Sequence, residues 1–359
     1  MLIDNEIYKQ DVDSILRSKM INWDRLIDKT IFVTGATGLI GALVVSTLLQ
    51  ANRKFALNCR VIAGVRNREK ALLYLGNEST MLSYYISDIT EPVNISEKIN
   101  YIIHTASQTG SKGFINQPVE TIDITLNGIR NVLDLARTKK AEKMVFLSTM
   151  EIYGAPDNDR KITERSGTNL FAGDVRSCYP ISKIMAENLC ASFASEYDVN
   201  SSVLVLTQTF GPGVKYNDGR VFAEFARAAI EGNDIILHTK GMTKRSYLYT
   251  ADAVRAILQV LLDGKQEFDI YNVANEDTYC SIYEMAEIFC THSFGEKISV
   301  KVEIKDISQY GYAPTLHMNL DTKKIRECGW TPEYNLDVMI ENLIKYMSSE
   351  KNNVGENGL

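Results

Sequence analysis

The chain has 359 residues, 45% hydrophobic and 23% charged, an ordinary soluble profile and enough length for two lobes. Its net charge of −6 argues against general nucleic-acid binding. No run of about 18 apolar residues offers a membrane span, and the acidic start MLIDNEIYKQDVD lacks the apolar core of a signal peptide. Six scattered cysteines without a CxxC pair fit reduced thiols in a cytoplasmic protein. Four histidines show no metal-ligand spacing.

Residues 1–28 read as a helical extension, with Ile15, Leu16, Ile21, Trp23, Leu26 and Ile27 as buried positions. It would cover its own lobe or contact a partner subunit. Thr30–Thr34 is a short β-branched strand. Gly35, Gly38 and Gly41 follow in GxxGxxG spacing, with Thr37, Leu39 and Ile40 between them, and a helical pattern comes next. Strand, glycine turn and helix are the context in which a pyrophosphate approaches a helix N-terminus. The second strand, Arg60–Arg66, ends without the carboxylate that would bind ribose hydroxyls. Arg66 stands there instead, either pairing with a 2′-phosphate, which leans toward NADP, or lying as a solvated loop charge.

A third strand, Tyr84–Ile89, ends on Asp88, which would take the adenine amine or cap the next turn. A fourth, Tyr101–Ser107, brings the small residues Thr105, Ala106 and Ser107 to its carboxyl end, where doubly wound sheets hold ligands. His104 is expected to be structural. A helix covers 121–139. The fifth strand, Met144–Thr149, carries Ser148, Thr149, Met150 and Glu151 at or past its end. Hydroxyls there can bond a sugar or a developing oxyanion, and a carboxylate can accept a proton. One helix later, Tyr179 and Lys183 stand four apart on one face. Pro180 suits the first turn, and Ile184, Met185, Leu189 and Cys190 supply the expected buried stripe. An ammonium near a phenol lowers its pKa and makes it an acid/base near neutrality.

These motifs in this order resemble the extended short-chain dehydrogenase/reductase family, from about Thr30 to about Asn342. Thr209-Phe210-Gly211-Pro212, Asn217-Asp218-Gly219-Arg220-Val221, Arg245-Ser246-Tyr247-Leu248-Tyr249 with Asp252, and Tyr271-Asn272-Val273-Ala274-Asn275 resemble segments of nucleotide-sugar epimerases, dehydratases and UDP-glucuronate decarboxylases. So does the stretch from Asp321 through Trp330 to Pro332.

The resemblance implies an α/β fold. A doubly wound parallel Rossmann sheet over 29–211 would bind a recycled NAD(P) and carry the Tyr179 helix. A smaller lobe over 212–342, crossing back to the sheet, would bind a nucleotide sugar, and 343–359 would be a polar tail. It implies a homodimer through helices near 121–139 and 180–197. It implies transient oxidation of the sugar at C4, with Tyr179 as base, Lys183 lowering its pKa and holding the nicotinamide ribose, and Thr149 on O4. Ile89 falls in the cofactor set. Epimerisation, loss of water and loss of carbon dioxide are all open to a 4-keto sugar. The 4,6-dehydratases place Asp-Glu after the threonine and the decarboxylases Ser-Glu. Here the pair is Met150-Glu151, and a thioether donates no proton. Glu151 therefore points to chemistry at C5. Val205 and Gln208 replace the family's Arg and Asn before Thr209. Arg220 and Arg245 are candidates for the diphosphate, and Asn275 either contacts the nucleotide or occupies a turn. Rival readings are a simple 4-epimerase, an NADPH-consuming reductase and a non-catalytic NAD(P) sensor.

Overall fold

The computed structural model describes residues 1–356 apart from 109, 264, 266–267, 296 and 305–314. Strand and helix alternate because short β-branched apolar runs alternate with amphipathic stretches. After α1 (Glu6–Leu16) come β1 (Thr30–Thr34), α2 (Leu39–Phe55), β2 (Arg60–Val65), α3 (Arg68–Leu75), β3 (Leu82–Ile86) and β4 (Tyr101–His104). Next are α4 (Ser111–Asn116), α5 (Pro118–Lys139), β5 (Lys143–Thr149), α6 (Cys178–Tyr197) and β6 (Ser201–Leu206). The rest comprises β7 (Gln208–Phe210), α7 (Val221–Glu231), β8 (Ile235–Leu237), β9 (Lys244–Tyr249), α8 (Thr250–Leu262), β10 (Asp269–Val273) and β11 (Asn275–Ser281). It ends with α9 (Ile282–Thr291), β12 (Val300–Val302), β13 (His317–Met318), α10 (Lys323–Glu327) and α11 (Leu336–Glu356).

Among the described residues, seven strands form one parallel sheet in the order β10-β6-β5-β4-β1-β2-β3. The order reverses between β1 and β4, which opens a crevice at the carboxyl edge. Strands β4 and β6 are buried along their whole length, as a sheet covered by helices on both faces requires. The doubly wound α/β expectation holds. β10 lies in this sheet although in sequence it falls between β9 and β11 of the smaller sheet. The smaller sheet pairs β11, β9, β13 and β7, and β8 pairs with β12. Helices α5 and α6 pack against each other.

Three expectations change. β3 and β4 stop at Ile86 and His104, so Asp88 and residues 105–107 have already left the sheet. Ile27 is exposed, because the turn at Trp23–Leu26 buries Trp23 and Leu26 and points Ile27 out. Residues 343–356 continue α11 where a polar tail was expected. Leu343, Ile344, Tyr346 and Met347 are buried, and their spacing keeps the helix packed. Residues 357–359 lie outside the described residues.

The N-terminal extension covers its own chain. Tyr8, Val12, Ile15 and Leu16 enter the main core. Asp11 is buried and accepts from the Tyr249 hydroxyl at 2.9 Å. The buried Arg255 bonds Ser14 Oγ at 2.8 Å and Asp252 Oδ1 at 2.6 Å. Burial pushes the Asp11 carboxyl from 3.8 up to about 8, against the pull of Tyr249 and Arg255. The folded state therefore holds this proton more tightly than the unfolded chain. Its contribution to stability is full below about pH 4 and is lost as pH rises toward 8. Asp11→Asn should flatten that decline, with a higher Tm than the wild type at pH 8.5 and little difference at pH 5, both measured by calorimetry. Parallel Tm curves for the two proteins would show that Asp11 does not titrate in this range.

Candidate active site

The turn after β1 is built for close approach. Gly35 has φ +63°, and a Cβ there would lie 2.7 Å from Thr105 Oγ1 and 2.8 Å from Ala106 N. A Cβ on Gly41 would lie 2.3 Å from the Gly35 carbonyl. Gly38 begins α2 with no side-chain cap, so the N–H groups of its first turn remain for a ligand. Thr37, Leu39 and Ile40 are half-buried around this turn. Thr105 donates to the Thr34 carbonyl at 2.8 Å, and Ala106 N donates to Thr34 Oγ1 at 3.2 Å, which ties β4's end to the turn. The cradle fits a dinucleotide pyrophosphate. Arg66 is exposed, 4.0 Å from Asp88. Asp88 caps its own turn, accepting from Thr90 N at 3.0 Å. Ile89 packs near Gly128 of α5.

Beyond β5, Thr149 caps a short turn, Met150–Tyr153, and accepts from Glu151 N at 3.3 Å. The Thr149 and Ser107 hydroxyls face the Tyr179 phenol. Lys183 is buried, donates to the Leu147 carbonyl at 2.8 Å, and lies 4.5 Å from the Phe146 ring centre. Its ammonium is 5.8 Å from the Tyr179 ring centre. Burial pushes the Lys183 pKa down to about 7, partly offset by Glu187. Burial, then the Glu151 charge, pushes Tyr179 up rather than down. This is opposite to the expected direction: burial dominates, and the Lys183 ammonium is turned to the Leu147 carbonyl. His104 is structural, as expected. Its Nδ1 is 2.7 Å from Thr34 Oγ1, and burial lowers its pKa to about 3.

Glu151 pairs with Arg176, Oε2 to Nη2 at 3.1 Å. The Arg176 guanidinium lies 4.7 Å from the centre of Phe114, and Phe114 stacks on Tyr179 at 4.4 Å with 8° between the planes. Glu151 and Tyr179 are thus linked by an Arg176–Phe114 ladder. Arg176, Phe114 and Glu187 were not legible as site residues. Arg176 carried a signal, a cation three residues before Tyr179, whereas Phe114 reaches the site only through tertiary packing.

The remaining candidates divide. Ser148 turns its hydroxyl inward to Glu187, away from the place assigned to substrate. Met150 is buried with its Sδ 3.2 Å from Thr207 Oγ1, so its side chain points into the core. Thr207 also donates to the Ser246 carbonyl at 2.5 Å, which draws β7 and β9 to the turn after β5. There Arg245 donates to Gln208 Oε1 at 2.8 Å, and its buried Nε has no partner among the described residues. Arg220 forks onto Asp218 at 2.6 to 3.2 Å and stacks on Phe222. Asn275 is buried at the start of β11, donating to the Tyr334 carbonyl at 2.8 Å and accepting from Asp277 N at 3.1 Å.

A cradle for a dinucleotide at the switch point and a Thr–Tyr–Lys set beside it define a nicotinamide-dependent enzyme of the extended short-chain dehydrogenase/reductase class. Residues 31–274 match the family described as NAD dependent epimerase/dehydratase family, and the chain belongs to it. It is 29% identical to UDP-glucuronic acid decarboxylase 6 of Arabidopsis thaliana, over 85% of each chain. It is 26% identical to a UDP-N-acetyl-alpha-D-glucosaminuronate decarboxylase of Bacillus cytotoxicus, over 90% of this chain and 99% of that one. Among solved structures, UDP-glucuronic acid 4-epimerase from Bacillus cereus, in complex with UDP-glucuronic acid and NAD, shares the fold at a TM-score of 0.72 and 17% identity, covering 89% of this chain and 99% of that one. The protein is an enzyme of this group of NAD-dependent nucleotide-sugar decarboxylases, epimerases and dehydratases.

Arg176→Met would leave Glu151 without its cation. The pair is half-exposed, so stability should change little. Turnover should fall about tenfold or more if the pair orients Glu151 for chemistry. Steady-state kinetics beside a melting curve would check this, and unchanged kcat/KM would remove Arg176 from the site.

Proposed function

We propose that this enzyme decarboxylates a nucleotide hexuronate through a transient 4-keto sugar. The observation that carries the reading is the turn after β5. Glu151 is its one carboxylate, held by Arg176, while Met150 is turned into the core. Elimination of the C6 hydroxyl needs an acid for the leaving group as well as a base at C5. A thioether supplies no acid. Loss of carbon dioxide needs none. The decarboxylases among the relatives support the same reading.

Bound in the cradle, a nicotinamide supplies hydride acceptance and return at the sugar's C4 and a positive charge beside the phenol. Tyr179 takes the O4 proton and later gives it back. Thr149 donates to O4. A carbonyl at C4 stands β to the C6 carboxylate, so the C5–C6 bond breaks with its electron pair drawn toward that carbonyl. The proton that C5 gains in exchange arrives from solvent through Glu151. Arg245 and Gln208 bind the substrate's polar end.

Incubation with a panel of nucleotide hexoses and hexuronates, followed by mass spectrometry and NMR, tests this. Carbon dioxide from a uronate is expected, and Glu151→Gln should slow it about 100-fold. Loss of water, or an epimer of unchanged mass, would replace the reading. Choice between NAD and NADP turns on Arg66. By calorimetry, NADP binding that exceeds NAD binding and disappears in Arg66→Ala would assign Arg66 to a 2′-phosphate. NAD binding that exceeds NADP and survives the substitution would leave Arg66 with Asp88.

A further inference from the structure

One buried acid beside the site has no part in the reaction just described. Glu187 lies one helical turn past Lys183 on the same face of α6. The last three residues of β5 hold three levels of that helix. The Leu147 carbonyl accepts from Lys183, the Ser148 hydroxyl donates to Glu187, and the Thr149 hydroxyl faces Tyr179. Ser148, Lys183 and Glu187 are all buried.

A lone ammonium is costly in such a place unless a counter-charge stands near it. His104, which also faces Lys183, is neutral and offers none. The groups around Glu187 are Lys183 and Cys190 on α6, Ser148 on β5 and Tyr153 on the turn after it. Of these only Lys183 is cationic. We propose that Glu187, oriented by Ser148, is a positioning residue whose charge keeps the Lys183 ammonium protonated and so sets the upper pH limit of turnover. The inference rests on Lys183 acting as the family's lysine, but not on which sugar is the substrate.

Burial raises Glu187 from 4.5 to about 7, while Ser148 and Lys183 pull it down. Removing the negative group must therefore weaken proton binding at the positive one.

The test is a pH titration of Lys183 by the 13Cε shift in the full chain labelled with 13C-lysine, assigned by the signal missing in Lys183→Arg. In Glu187→Gln the Lys183 midpoint should fall by about one pH unit or more. The basic limb of the kcat profile should move to lower pH with it, at nearly constant KM. Glu187→Asp should restore part of the shift. Ser148→Ala should move both in the same direction by less, because it leaves the carboxylate in place but less willing to ionise. It serves as the second variant if Glu187→Gln does not fold. An unmoved Lys183 midpoint in a folded variant would make Glu187 a packing residue and overturn the inference. A midpoint that moves in an enzyme releasing no carbon dioxide from uronates would uphold it and sink the proposed reaction alone.

Discussion

A charged lysine buried beneath the end of a parallel strand constrains the whole centre of this fold. The ammonium of Lys183 must find a hydrogen-bond acceptor, and β5 offers the Leu147 carbonyl at its carboxyl end, where parallel strands leave acceptors unpaired. The Phe146 ring closes one side. To reach that carbonyl, α6 must press its polar face onto β5. That packing brings Tyr179 up to Thr149 and places the phenol at the crevice where the sheet order reverses. The same burial pushes the phenol's pKa up.

How the sequence relates to this arrangement is clearest on α6. Local signals were enough for β1, the glycine turn, α2, β5 and the spacing of Tyr179 and Lys183, because each is written in neighbouring residues. The buried face of α6 was not legible. Its apolar residues suggested a stripe through Ile184, Met185, Leu189 and Cys190. In the structure Met185 is exposed, and Ser182, Lys183, Ala186, Glu187 and Cys190 are buried. Polar groups can be buried wherever partners meet them, and the partners here lie 36 and 39 residues upstream on β5. Periodicity cannot see partners of that kind. The same holds for Phe114, whose place on Tyr179 depends on how α4 packs. The helix through residues 343–356 was missed for a different reason, since its buried stripe sits in a polar stretch.

Residues that matched nucleotide-sugar enzymes in the second half turn out to hold the lobes together. Asp252 accepts from Glu333 N at 3.0 Å, Tyr334 N at 3.2 Å and Arg255 Nη1 at 2.6 Å. Its carbonyl accepts from Trp330 Nε1 at 3.1 Å. Arg255 then reaches Ser14 of α1, so one buried pair joins α8, the approach to α11 and the N-terminal extension. A buried pair of this kind is weak evidence for stability but strong evidence for a fixed arrangement, since breaking it leaves a charge uncompensated. β10, which falls between β9 and β11 in sequence, also joins the main sheet.

The candidate groups of the reaction stand at the carboxyl end of the main sheet. At the turn after β5 those are Thr149, Glu151 and the cation on Glu151. Met150 occupies the position where an acid would be needed to expel water. Its sulfur lies 3.2 Å from Thr207 Oγ1, which in turn donates to the Ser246 carbonyl of β9. An aspartate in its place would bury a carboxylate against that carbonyl, at a cost set by lost solvation. The thioether therefore does more than omit an acid. It lies where β7 and β9 meet the end of β5, and Gln208, next to Thr207, accepts from Arg245. Met150 thus belongs to the packing that holds β7 and β9 against the end of β5.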